Sequence, residues 1–88
     1  LEQYLPALEK YNKLTQGLDP NKNQRTYWEA QLGFARCFLA AYKSDPEKMA
    51  GLLQRVRTLR KDAPQRWIGK LNLVEVEADR IVQNARKR

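Results

Sequence analysis

Apolar residues recur along this 88-residue chain at three- and four-residue steps, in four blocks separated by short polar stretches that carry proline. That spacing puts the apolar side chains of each block on one face of an α-helix. The first block is Leu5, Leu8, Tyr11 and Leu14, with Leu18 beyond it, and predicts a helix over 4–16. Pro6 is tolerated only in a first turn, which fixes the start near Tyr4 or Leu5. Gly17-Leu18 predicts a Schellman stop, with Gly17 left-handed and Leu18 folded back on the last turn. Asp19-Pro20 then closes the helix, since proline disfavours a helical predecessor.

The second block is different in kind. Tyr27 to Tyr42 reads YWEAQLGFARCFLAAY, and only Glu29, Gln31 and Arg36 interrupt thirteen apolar or glycine positions. A helix apolar on nearly all sides must be covered on nearly all sides. It is expected to be the central helix, over 24–42, with Asn23 as its N-cap. Gly33 in its interior costs about 1 kcal/mol relative to Ala, which points to a close helix crossing there.

The third block follows Ser44-Asp45-Pro46-Glu47. Asp45 as N-cap with Pro46 at the first helical position satisfies helix-start chemistry, and Ser44 with Glu47 offers a competing capping box. This helix is predicted over 46–61, with Met49, Leu52, Leu53, Val56 and Leu59 inward. Its other face carries Lys48, Arg55, Arg57, Arg60 and Lys61. Asp62-Ala63-Pro64 ends it. The fourth helix is predicted over 65–85, with the stripe Trp67, Leu71, Val74, Ala78, Ile81 and Ala85. Leu73 and Val76 fall off that stripe. The expected core is Trp28, Leu32, Phe38, Leu52, Val56, Leu59, Trp67 and Leu71.

These elements give an all-α fold of four antiparallel helices in one domain over 1–88, too short a chain for a second. Four glycines and four prolines are too few for a loop-rich or all-β chain. The chain starts at Leu1 rather than Met and ends in Lys87-Arg88 inside a helical pattern, so it reads as a piece of a longer protein. Cutting a repeat there would leave Leu73, Val76 and Ile81 partly exposed and favour self-association through the fourth helix.

Chemistry is sparse. There is no histidine and a single cysteine, Cys37, so no disulfide and no Cys/His metal site can form within the chain. Cys37 lies among Phe34, Phe38 and Ala41, where a thiol behaves as a small hydrophobe. Glu75, Glu77 and Asp79 read as a solvated helix face, with Glu75 and Asp79 on one side and Glu77 on another. No phosphate-binding glycine loop is present. No cofactor and no catalysis are expected. No run is long and apolar enough to span a membrane.

Two features repeat. A tryptophan followed four residues later by leucine opens the second and fourth helices, as Trp28-Leu32 and Trp67-Leu71, 39 residues apart. An Asp-Pro or Ala-Pro pair closes the first and third. The first helix adds Ala7, Tyr11, Leu14 and then Pro20, and the central helix adds Gly33 and Ala35. This pattern resembles the tetratricopeptide repeat family, though the spacing is longer than that family's 34 and the tryptophan–leucine step is four residues. By period alone HEAT-like repeats are the alternative. The resemblance implies a helix–turn–helix array, and a scaffold that binds a protein or peptide in a groove lined by the first helix of each pair. Carried onto this chain, it turns Tyr27, Ala30, Phe34 and Cys37 towards the groove, with Arg66 and Lys70 at its rim to attract an acidic ligand.

Net charge is +7 and the basic residues are spread along the chain. A rival reading uses this charge: a nucleic-acid-binding helical repeat whose surface is the basic face Arg55, Arg57, Arg60 and Lys61. Against it, the aromatics read as core and not as platforms interleaved with those cations.

Overall fold

The structure, a computed structural model, describes residues 3–86. The expected helical pattern running into Lys87-Arg88 lies outside the described residues. Four helices are present: α1 Leu5–Gly17, α2 Gln24–Tyr42, α3 Pro46–Asp62 and α4 Gln65–Arg86. There is no strand among the described residues. Each boundary falls within one residue of the predicted one.

The helix ends show which sequence signals act. Asp45 caps α3: its Oδ1 accepts from the Glu47 and Lys48 amides at 3.1 and 3.2 Å, with Pro46 at the first helical position. Asp45 therefore wins over the capping box that Ser44 would have made. Two other expectations fail. Gly17 is not left-handed, and α1 leaves through Leu18 in extended conformation, φ −104° and ψ 140°. Pro20 disfavours a helical Asp19, so the helix cannot run on through this exit. Asn23 makes no side-chain cap on α2. The turn before α2 is held instead by Asp19, whose Oδ1 accepts from the Asn21 amide at 2.8 Å and whose carbonyl accepts from the Asn23 amide.

Side-chain contacts set the helix directions. Arg60 of α3 reaches Asn72 and Glu75 of α4, while Arg57, one turn earlier, reaches Glu75 and Asp79. The register runs backwards, so α3 and α4 are antiparallel. The same reversal links α2 to α3 through Gln31–Arg55 and Tyr42–Lys48, and α1 to α2 through Tyr11–Gly33 and Tyr4–Cys37.

Helix α2 is the hub and packs against α1, α3 and α4, as its composition requires. The tightest pairs are α1 with α2 and α3 with α4, and α1 approaches neither α3 nor α4. The Cα atoms span 45 × 30 × 14 Å. Two helices at about 8–10 Å between axes fill the short dimension, so the molecule is two helices thick.

The main core joins α2 (Trp28, Leu32, Ala35), α3 (Met49, Leu52, Leu53, Val56) and α4 (Trp67, Leu71, Val74, Ala78, Val82). Both tryptophans are core anchors, 5% and 3% exposed. Six of the eight expected core residues are buried, while Phe38 and Leu59 are only partly so. The α4 stripe turns inward at Val82 rather than at Ile81, which is half-buried. Leu73 and Val76 stand 69% and 67% exposed, as expected off the stripe.

Helix α1 adds nothing to that cluster. It buries only Leu8 and leaves Leu5 and Leu14 exposed. What seats it is Gly33. A Cβ built on Gly33 would lie 2.7 Å from two carbons of the Tyr11 ring, so the glycine is what lets α1 cross this closely.

Two measurements check this packing. Trp67→Ala should cost about 3–5 kcal/mol. Small domains have little more than roughly 5 kcal/mol in hand, so the variant should be largely unfolded near room temperature by circular dichroism. Gly33→Ala should lower the melting temperature in the wild-type chain but raise stability by about 1 kcal/mol in a Tyr11→Ala background, where only the helix-propensity gain remains. The same sign in both backgrounds would mean that the ring is not the constraint.

Candidate functional site

Helical geometry divides α2 into faces. Trp28, Leu32 and Ala35 point into the core. Ala30, Gly33 and Cys37 share a second face, which turns to α1: Gly33 meets Tyr11, and the Cys37 Sγ lies 3.8 Å from the Tyr4 carbonyl oxygen. Tyr27, Gln31, Phe34 and Phe38 share a third, which turns to α3. Because α1 does not reach α3, this third face is not roofed.

The result is a trough along the α2–α3 seam. One end is a cleft of about 530 Å³ between the α1–α2 connection, Tyr27 and Trp28 of α2, and Thr58, Leu59 and Asp62 of α3. Thr58 and Leu59 also line the next stretch, of about 400 Å³, with Gly51, Gln54 and Arg55. Gly51 and Arg55 continue into a third hollow of about 200 Å³ with Phe34, Phe38 and Leu52. The three spaces adjoin through these shared residues, the middle one being lined by α3 alone. Gly51 lines it at an open position, where a Cβ would have no atom within 4 Å.

Along the seam rings and cations lie side by side, and Phe34, Phe38 and Arg55 among them line the hollows. Phe34 stacks on Phe38 at 5.8 Å between centroids, and Phe38 packs on Tyr42 at 4.6 Å. The Arg55 guanidinium lies 3.9 Å above the Phe34 ring, and the Lys48 ammonium 5.5 Å from that of Tyr42. Arg55 is also fixed by a hydrogen bond: its Nη2 donates to the Gln31 Oε1 at 3.0 Å. Gln31 is itself 6% exposed and donates through Nε2 to the Tyr27 hydroxyl at 3.2 Å. Burial holds the Arg55 guanidinium below its ordinary value, partly offset by Tyr27.

The expected groove residues thus separate. Tyr27 and Phe34 lie on the trough. Ala30 is buried, 4% exposed, and Cys37 is half-buried against α1. Arg66 and Lys70 are exposed on α4, with their cations 5.5 and 4.9 Å from the Trp67 ring centroid. No contact brings them to Tyr27 or Phe34. Gln31, Gly51 and Arg55 complete the trough. Gln31 had one signal, being a rare polar residue inside an apolar helix; Gly51 had none beyond its identity.

The basic face of α3 also separates. Arg55 turns to α2. Arg57 pairs with Glu75 at 3.5 Å and with Asp79 at 3.9 Å, and Arg60 binds Glu75 and Asn72. Lys61 alone of the four is exposed with no ion pair among the described residues. The acids of α4 are therefore not simply a solvated face. Glu77 points away, to Arg80, but the Glu75 side chain is only 17% exposed and ties α4 to two arginines of α3. Of these four α3 cations only Arg55 lies over a ring, that of Phe34, among the described residues; Lys48, outside the four, lies near Tyr42. No group of metal-ligating residues occurs among the described residues.

Two further outcomes follow. Glu75→Gln should destabilise the fold by roughly 1–3 kcal/mol, the range for a charge-assisted hydrogen bond, and added salt should narrow the gap to wild type in a denaturant titration. Burial pushes the Cys37 thiol above its ordinary value of 9.0, so less thiolate is present at neutral pH. Iodoacetamide should label it more slowly in the folded chain than in the same chain in urea, and equal rates would place the thiol in open solvent. Comparison of the chain with protein-family models, with curated proteins and with solved structures found no match in any of the three.

Proposed function

We propose that this chain is an interaction scaffold, part of a tetratricopeptide-like helical array, and that it binds a peptide or protein segment along the α2–α3 trough. The observation that carries this reading is the row of adjoining hollows from Tyr27 past Gly51 to Phe38, of mixed polar and apolar lining and unroofed by α1. Ligand sites are concave, mostly apolar and carry a few fixed polar groups, and the hollow of Phe34, Phe38, Gly51, Leu52 and Arg55 has that make-up. The antiparallel order of helices and the exposed Leu5, Leu14, Leu73 and Val76 on the two outer helices also fit an array whose ends meet further units. The +7 charge favours an acidic partner, adding association rate more than affinity.

Gly51 offers a clean test. Peptides selected from a displayed library of random sequences should bind the wild-type chain and shift amide resonances at Tyr27, Phe34, Gly51 and Thr58. Gly51→Gln should stabilise the fold by about 0.5–1 kcal/mol through helix propensity, yet block the trough and abolish binding. Shifts confined to the outer face of α4 at Leu73 and Val76 would overturn the reading. So would sub-micromolar binding of single-stranded RNA or DNA at physiological salt that Gly51→Gln leaves intact, because phosphate contacts on another surface would then carry the affinity.

A further inference from the structure

Arg55 stands apart from the other arginines. Arg25, Arg57, Arg60 and Arg80 each lie against a carboxylate of this chain. Arg36, Arg66 and Arg86 are exposed to water. Arg55 is half-buried and has no carboxylate within ion-pair distance among the described residues. Only its Nη2 has a protein acceptor, Gln31; its Nε and Nη1 have none among the described residues and are open to solvent. A guanidinium cannot shed its charge under ordinary conditions, so it carries a desolvation cost that a carboxylate would relieve.

The chain also fixes this group in place. Phe34 supports one face of the guanidinium plane, and Gln31, oriented by the Tyr27 hydroxyl, holds one corner. A planar fork fixed before the ligand arrives loses little entropy on binding, and it matches the two oxygens of a carboxylate. Beside it lies the 200 Å³ hollow of Phe34, Phe38, Gly51 and Leu52, sized for one large apolar side chain. The trough continues past Arg55 on both sides. A bound segment therefore passes through rather than ends there, and the carboxylate belongs to a side chain and not to a chain terminus. In an extended segment, residues two apart point the same way, roughly 6–7 Å from each other.

Resting on the trough reading above, we propose that Arg55, held by Gln31, Tyr27 and Phe34, is a carboxylate anchor, and that the bound segment carries an Asp or Glu two positions from a large apolar residue. The apolar side chain fills the hollow and the acid pairs with the fork.

The test is the same displayed library of random peptides, selected in parallel on the wild-type chain and on Arg55→Gln. Wild-type selection should enrich an acidic residue two positions from Phe, Leu, Ile or Trp. Selection on Arg55→Gln should keep the apolar preference and lose the acidic one. For one selected peptide, replacing its acid by the amide should weaken binding roughly ten- to hundredfold on wild type, the loss of one charge-assisted hydrogen bond, and leave binding to Arg55→Gln unchanged. Arg55→Lys, which retains the charge without the fork, should recover only part of the loss and serves as the second variant if Arg55→Gln melts early. Peptides that bind in the trough with no acidic preference, or that keep it on Arg55→Gln, would overturn the anchor and leave the trough reading standing. Peptides whose acid is their C-terminal carboxylate would overturn the through-running segment. Failure of any peptide to be enriched would sink the trough reading and the anchor with it.

Discussion

Helix α2 has apolar residues on three faces and so must be covered on three faces, and the rest of the molecule follows from that demand. Trp28, Leu32 and Ala35 need a core, which α3 and α4 supply together. Ala30 and Gly33 need a close neighbour, which α1 supplies because Gly33 has no Cβ to hold Tyr11 away. Tyr27, Phe34 and Phe38 need only partial cover, which α3 supplies, with the Arg55 guanidinium over Phe34. A slab 14 Å thick cannot enclose a helix on every side. The face left least covered is the one whose residues carry polar handles or can accept a cation on the ring, a tyrosine and two phenylalanines. The position of the trough is thus a consequence of how the burial of α2 is shared out.

Most of the fold was legible in the chain, for physical reasons that can be named. Helix positions came from apolar periodicity and proline, both local signals. Asp45-Pro46 was readable because a carboxylate one residue before an N1 proline leaves little choice of register. The misread ends, Gly17 and Asn23, flank a turn held by Asp19, whose Oδ1 and carbonyl accept from the Asn21 and Asn23 amides and whose following proline disfavours a helical Asp19. Gly33 was legible as a crossing, but the partner ring was not, since Tyr11 is twenty-two residues away and periodicity carries no pairing information. The extra core residues Met49, Val74, Ala78 and Val82 follow from how far α3 and α4 overlap, which only the packed pair reveals.

The site was legible in part. Tyr27 and Phe34 were placed on an accessible face, while Ala30 and Cys37, one helical step round, went to α1. That division depends on the angle at which α1 meets α2, and no sequence period reports an angle. Arg55, Arg57 and Arg60 looked equivalent as a basic face. At 100° per residue, Arg57 and Arg60 lie 60° apart, and Arg55 lies 160° from Arg57. A helix between two neighbours therefore sends Arg55 to α2 and the other two to α4. A charge-rich helix face is one feature in the sequence and two in the structure.

That split gives the arginines of α3 opposite roles. Arg57 and Arg60 meet Glu75, which neutralises them where α3 and α4 close over the core. A cross-helix pair of this kind is partly solvated, gains modest Coulomb energy and mainly fixes register. Arg55 faces a helix with no acid to offer on that side: the only carboxylate of α2 is Glu29, which is exposed and pairs with Arg25. Its charge is met by an amide oxygen and a ring, both weaker partners than a carboxylate. Placing a full charge half-buried with weak partners costs stability, and a leucine or methionine would have covered Phe34 without that cost. The cost falls where two of the hollows adjoin, beside Gly51, and a carboxylate arriving from outside would find there a guanidinium held at one corner and an apolar hollow.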